Sequence, residues 1–358
     1  MTEIRKTPRA QSFNRMMAHG LDHTDYTKMI KRIANGEDHV NVCEELGDKS
    51  FAYAEEELKK GHKDAARIFF MKAVALYRIG EYDLTYLTEE KLRIYKKILD
   101  GFSKGIQLYN NMTVERVELP YKNSIMCGWM FIPNHAPKDV PVIIVMGGLT
   151  GFKEEANSMA MVLVDRGFAV LLIDGPGQGE SLYFHKCYLE VDHQDAHNIM
   201  IDYIINRSDV GNKVGIYGIS FGGYLVARTA GYLSYKLAAC VSRGGGYEVK
   251  DCLVIPNYLE KFTMRFGKDK KDKDFVETNL IEKMSLKGIA DKITCPLLII
   301  HNDEDPTFNV ELVKKTFAEA ASTDKTFKLF SDRDHCANTD DTEARTYVVD
   351  WLADRLLA

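Results

Sequence analysis

Short runs almost bare of charge, VPVIIVMGG, FAVLLID, VGIYGIS, LAACVSRGG and CPLLIIHND, alternate along the chain with amphipathic stretches. Runs of this kind, rich in Val, Ile and Leu, suit strands buried on both faces, because no face of the strand is marked polar. Amphipathic stretches follow three of them, from about Glu154, around His193 to Asn206, and from Gly222. Strand and helix taking turns in this way predict an α/β fold with a doubly wound, mostly parallel sheet. TFKLFSDRD continues the pattern, and ahead of it all TVERVELPY and IMCGWMFIP alternate in the strand manner. A turn at Lys122, Asn123 and Ser124 joins those two as a hairpin.

The front of the chain reads differently. From about residue 10 to residue 108 there are few Gly or Pro, and apolar residues recur at three- and four-residue spacings, which predicts helices. FAYAEEELKKGHKDAARIFFMKAVALYRIG reads as two of them around a turn at Gly61. The expected division is a helical N-terminal cap domain over 1–110 and a core over 111–358. Between about 247 and 291 no strand run occurs, and a segment that long inside a compact domain has helices of its own. It is read as a helical lid insertion.

Composition bounds the function. The 358 residues carry a formal net charge of -5, with no basic excess to hold a phosphate backbone, so nucleic acid is not expected as a partner. The 7 cysteines contain no Cys-x-x-Cys pair and suit reduced thiols in the cytoplasm. The polar N-terminus, MTEIRKTPRAQSFNRMM, has no signal-peptide core, and no run of about 18 apolar residues occurs, so neither export nor a membrane is expected.

In an open parallel sheet reactive groups gather just past the carboxyl ends of the strands. After VGIYGI stands Ser220, between Gly218 and Gly222; after CPLLIIHN come Asp303 and Asp305; after TFKLFSDRD comes His335. A serine hydroxyl needs a base to take its proton, imidazole is matched to that task, and a carboxylate orients and stabilises the ring. Ser220 is therefore the candidate nucleophile, His335 the base and Asp305, with Pro306 after it, the preferred acid. Asp303 and Glu304 read as loop carboxylates, Asp332 and Asp334 as turn residues capping their own backbone. The glycines of MGGLTGFKEE let backbone N–H groups face Ser220, and the oxyanion donors are assigned to Leu149 and Phe221. DGPGQGES lacks the Lys of a phosphate loop and reads as a structural turn. His193 and His197 stand at helical spacing but have no third ligand, so they read as helix surface or packing; neither metal nor cofactor is expected.

GGLTGFKEE, DGPGQGES, GISFGG, HNDEDP and DRDH, in this order, resemble the alpha/beta-hydrolase superfamily from about residue 115 to 358. With its helical front end, the chain resembles a narrower group. That group includes the fermentation-respiration switch protein family, the 2,6-dihydroxypseudooxynicotine hydrolase and polyketide-shortening hydrolases. The resemblance puts nucleophile, acid, base and oxyanion donors at the same residues. Gly147 stands where the wider superfamily usually has a His, a feature shared by the narrower group. It also implies a homodimer through the N-terminal helices and, for several members, cleavage of a carbon-carbon bond beside a ketone. The carbanion or enolate that leaves then needs a proton donor; Glu248, Asp251 and Tyr247, past LAACVSRGG, are the candidates. Tyr258, Phe262, Met264 and Phe266 are read as pocket lining or lid core.

The function expected is a serine hydrolase acting on a small polyketide-like or aromatic 1,3-diketone by retro-Claisen cleavage. A carboxylesterase is the alternative. A dipeptidyl or acylaminoacyl peptidase fits less well, since such enzymes usually carry a β-propeller in front. A non-catalytic binding protein on the same fold would not need Ser220, Asp305 and His335 intact.

Overall fold

A computed structural model describes residues 16–17, 20–84, 86–331 and 334–357. The N-terminal stretch 1–15 and Asp332 lie outside the described residues. The chain divides into two compact units, Met1–Val114 and Glu115–Ala358.

The first unit is helical: α1 (His23–Ala34), α2 (His39–Lys59), α3 (Lys63–Tyr82) and α4 (Glu89–Ile106). Asp22, Asp38 and Thr88 cap α1, α2 and α4, their side chains accepting the backbone N–H of Asp25, Asn41 and Lys91. Such caps satisfy donors that a helix start leaves without partners. Gly61, at φ 84, makes the turn between α2 and α3. Ala54, Ala66 and Phe70 are buried together between those two helices. Among the described residues no helix is long and apolar enough to cross a membrane.

The second unit is built on an eight-stranded sheet of order β1-β2-β4-β3-β5-β6-β7-β8. Its elements in chain order are β1 (Met112–Tyr121), which begins just before the division, β2 (Ser124–Pro133), β3 (Val142–Met146), α5 (Asn157–Arg166), β4 (Ala169–Ile173), α6 (Gly179–Tyr183), α7 (Gln194–Ile205), β5 (Val214–Ile219), α8 (Phe221–Leu233) and β6 (Ala239–Arg243). Then come α9 (Tyr258–Arg265), α10 (Lys273–Asn279), β7 (Leu297–Asn302), α11 (Val310–Glu319), β8 (Lys325–Phe330) and α12 (Asp341–Leu356). From β4 to β8 every neighbouring pair is parallel, and β2 joins β4 antiparallel. All residues of β3, β4, β6 and β7 are buried, as strands without a polar face require. The expected α/β architecture is the one found.

The segment between β6 and β7 is helical, with α9, α10 and short 3-10 turns. Its neck is closed by an isolated bridge between Glu248 and Ser285, where Val249 N–H donates to Met284 O and Leu286 N–H to Tyr247 O. Phe262 and Phe266 of this insertion belong to the same buried core as Leu149 and Phe221.

Candidate active site

Ser220 ends β5 and begins α8 with φ 57 and ψ -127, a left-handed conformation that a residue with a Cβ adopts only under constraint. The chain can turn so tightly because of its glycines. A Cβ on Gly218 would fall on the Gly222 carbonyl, and one on Gly222 would fall on the Gly147 carbonyl. The hydroxyl is thereby lifted over the sheet edge at the N-terminus of α8.

His335 meets it there. Ser220 Oγ lies 2.7 Å from His335 Nε2, and His335 Nδ1 lies 2.8 Å from Asp305 Oδ2. An ionised carboxylate only accepts, so the proton sits on Nδ1 and Nε2 is left to accept from Ser220. The Asp305 side chain is buried, and its other oxygen accepts Thr307 N–H at 2.7 Å and Phe308 N–H at 3.1 Å. Burial would raise its pKa, but the charge of His335 and the hydrogen bond from it prevail and hold the carboxyl below its ordinary range. For His335 burial works against the charged ring, yet the neighbouring Cys336 sulfur and the Asp305 carboxylate push its pKa above the ordinary value. Asp303 is not part of this arrangement; its N–H extends the pairing to Phe330. Asp334 caps its own turn, accepting from His335 N–H and Thr339 N–H.

The His335 loop is fastened from below. Arg243, buried at the end of β6, donates to Cys336 O at 2.7 Å, to Ala337 O at 3.2 Å and to Asp341 at 2.8 Å. Asn302 Oδ1, at the end of β7, accepts Ala337 N–H at 2.7 Å. These bonds hold Cys336 and Ala337 at positive φ, 66 and 51. Sequence reading missed both fasteners; the signal was a charge and an amide closing otherwise apolar strands.

The glycine loop after β3 sits beside Ser220, where a Cβ on Gly148 would lie 3.1 Å from Ser220 Cβ. Among the described residues, neither the Leu149 nor the Phe221 amide donates to a protein acceptor. The loop rests on a buried charge cluster that the sequence did not announce. Lys153 Nζ lies 2.7 Å from Glu154, 3.1 Å from Asp174 and 2.7 Å from Glu180. Asp174 also accepts Lys153 N–H and Glu180 N–H, tying the glycine loop to DGPGQGES. From the insertion, Arg265 Nε donates to Leu149 O.

Of the three candidate proton donors, Tyr247 has its hydroxyl engaged, donating to Glu319 at 3.0 Å, at the end of α11 opposite the Asp305 loop. Ten residues of helix separate the two ends by about 15 Å. Glu248 pairs with Lys250 at 2.9 Å. Asp251 keeps a buried oxygen without a partner, and burial, joined by the charge of Glu248, raises its pKa. Phe262 packs edge-on to Phe221, with ring centroids 5.1 Å apart. His193 and His197 are not on a helix surface but buried between α7 and α8; His193 Nε2 lies 3.1 Å from Leu225 O and His197 Nδ1 2.5 Å from Thr229. Cys127, Glu180 and His185 bring ligand atoms within 4.8 Å of one another. Glu180 already serves Lys153 and Arg116, and burial pushes the Cys127 thiol up to about 12, so this donor set does not suit a cation.

A nucleophile-elbow turn on a mostly parallel sheet is the architecture of the alpha/beta hydrolases. The crystal structure of 2,6-dihydroxy-pseudo-oxynicotine hydrolase superimposes with a TM-score of 0.85 at 22% identity, covering 96% of each chain. The pattern of the family described as esterase FrsA-like matches residues 18–357, and the chain belongs to that family. It is 26% identical over 309 residues to 2,6-dihydropseudooxynicotine hydrolase of Paenarthrobacter nicotinovorans, covering 85% of this chain and 81% of that protein. To 20-hydroxy-prefusarin hydrolase FUS2 of Gibberella moniliformis it is 30% identical over 60% of this chain, and it spans 54% of that protein. The chain thus spans about half the length of the fungal relatives it matches.

Proposed function

We propose that this hydrolase uses Ser220 as nucleophile, His335 as base and Asp305 to orient the ring, and that it cleaves a carbon-carbon bond of a 1,3-diketone. The reading rests on one observation above all: Ser220 Oγ, His335 Nε2 and Asp305 Oδ2 form a line with links of 2.7 and 2.8 Å. Ser220 attacks a carbonyl carbon while its proton passes to His335 Nε2. The amides of Leu149 and Phe221 receive the oxyanion, the interaction that usually contributes most to such catalysis. When the tetrahedral adduct collapses, the carbon-carbon bond breaks, its electron pair leaves as an enolate, and a proton converts that to the ketone. Water, activated by His335, then releases the acid from Ser220.

The proton for the enolate comes from Asp251, while the His335 imidazolium serves the Ser220 side of the reaction. Burial and the charge of Glu248 favour the protonated form of Asp251, which is the form that can donate. The names of two relatives, a pseudooxynicotine and a prefusarin hydrolase, support an oxygenated organic substrate of small size. The family's description as an esterase favours the second reading, carboxylester hydrolysis, in which the imidazolium alone suffices. Turnover of an aryl 1,3-diketone and of its matched ester separates the two. Diketone cleavage lost in Asp251→Asn with ester hydrolysis kept is the result expected; an enzyme inert to every diketone offered but active on the esters would leave the esterase reading. The partner proposed is a second copy of the chain through the N-terminal helices, which sedimentation velocity tests.

A further inference from the structure

Gln178 lies in DGPGQGES, a stretch that reads as a plain turn, yet its side chain is buried and fully engaged. Its Oε1 accepts Gly175 N–H at 3.0 Å, and its Nε2 donates to Gly147 O at 2.6 Å and lies 3.4 Å from Gly148 O. A backbone N–H needs an acceptor and a carbonyl needs a donor, so only one orientation of the amide serves both. Gly148 O also accepts Gly151 N–H at 3.2 Å. The Gly148 carbonyl is thus held toward Gln178 and Gly151. In a planar trans peptide the N–H points opposite to the C=O, and that N–H belongs to Leu149. The peptide lies beside the nucleophile, since a Cβ on Gly148 would stand 3.5 Å from Ser220 Oγ.

We propose that Gln178 is a positioning residue that aims the Leu149 amide at the oxyanion, an inference that rests on the reading of Ser220 as nucleophile. Its carboxamide fixes the two carbonyls that precede Leu149, so the donor is in place before charge develops. Gln178 touches no reacting atom; it acts through the backbone. A Gln178 that merely filled space would be replaced without loss by a side chain of the same length.

Gln178→Met keeps the length and removes donor and acceptor; Gln178→Glu keeps the bond from Gly175 N–H but sets a carboxylate oxygen against Gly147 O. The second-order rate of labelling by a fluorophosphonate, whose phosphoryl oxygen takes the oxyanion position, is measured for both across pH, with inhibition by a trifluoromethyl ketone. Both variants should label about ten- to a hundredfold more slowly, short of or equal to the loss of one oxyanion donor. Ketone inhibition should weaken by a similar factor, and the pH midpoint of labelling, which reports His335, should stay at the wild-type value. Wild-type rates in the methionine variant, or a displaced midpoint, would overturn the assignment. If the methionine variant does not fold, the glutamate variant decides alone on the same criteria. Failure of the wild-type chain to label at Ser220 would overturn the proposed function instead; labelling of the wild type with unimpaired variants would overturn only the role of Gln178.

Discussion

Ser220 stores strain at the turn from β5 into α8. A non-glycine residue at φ 57 and ψ -127 costs on the order of 1–3 kcal/mol, and glycine escapes most of it while losing about 0.5–1 kcal/mol to chain entropy. Ser220→Gly should therefore raise stability by about 1 kcal/mol in urea denaturation, while Ser220→Ala, which keeps the Cβ, should not gain by that route. His335 gives a second prediction. The reaction needs the neutral ring, and the raised pKa means that activity falls as pH drops through a midpoint above about 6.5. Because the Asp305 carboxylate, ionised across this range, raises the pKa of the ring it bonds, Asp305→Asn should move the acid limb of the residual kcat/KM to lower pH. An unmoved limb would remove Asp305 from this part of the account. That Ser220, Asp305 and His335 come together could be read from the sequence because a serine, a carboxylate and an imidazole each stand just past a strand. Gln178 and Arg265 could not, since their partners here are backbone groups brought near by the fold, and a backbone group has no identity in sequence.

Loops after strands are held here by buried polar ties. Lys153 bridges Glu154 and Asp174, and it shares Glu180 with Arg116. Removing one partner from such a cluster strands buried charge, at a cost of about 3–5 kcal/mol. Lys153→Met should lose about that much stability in denaturant, with slower labelling of Ser220 as the glycine loop loosens; a loss under about 1 kcal/mol would mean that the cluster does not hold the loop. Gly222→Ala should also slow labelling, because the new Cβ falls on the Gly147 carbonyl and backbone, unlike a flexible side chain, cannot move aside cheaply. The sheet was legible because its strands are buried on both faces and show it as apolar runs. The helical nature of the 247–291 segment was legible from its length and lack of strand runs. That Arg265 reaches Leu149 from it was not, because the bond joins residues far apart in sequence. For His193 and His197 the spacing left surface and packing both open, and packing is found, because α8 supplies the acceptors that burial requires.

At the scale of the molecule, the helical unit and the sheet unit each have their own buried clusters, and the family match runs through both. Membership fixes the class of chemistry more firmly than the bond broken, since one site geometry serves ester and ketone carbonyls alike. The choice between them turns on how the leaving group is protonated, which is why Asp251→Asn with matched substrates is the informative experiment at this level. The central claim, that Ser220 is an activated nucleophile, has a more direct test. The full-length protein is treated with a fluorophosphonate at neutral pH and the modified residue is located by mass spectrometry, beside the Ser220→Ala and His335→Ala variants. The account predicts one adduct, on Ser220, absent from the alanine variant at that position and strongly slowed in the histidine variant. An unlabelled Ser220 in the folded wild-type protein, or equal labelling in all three, would contradict it.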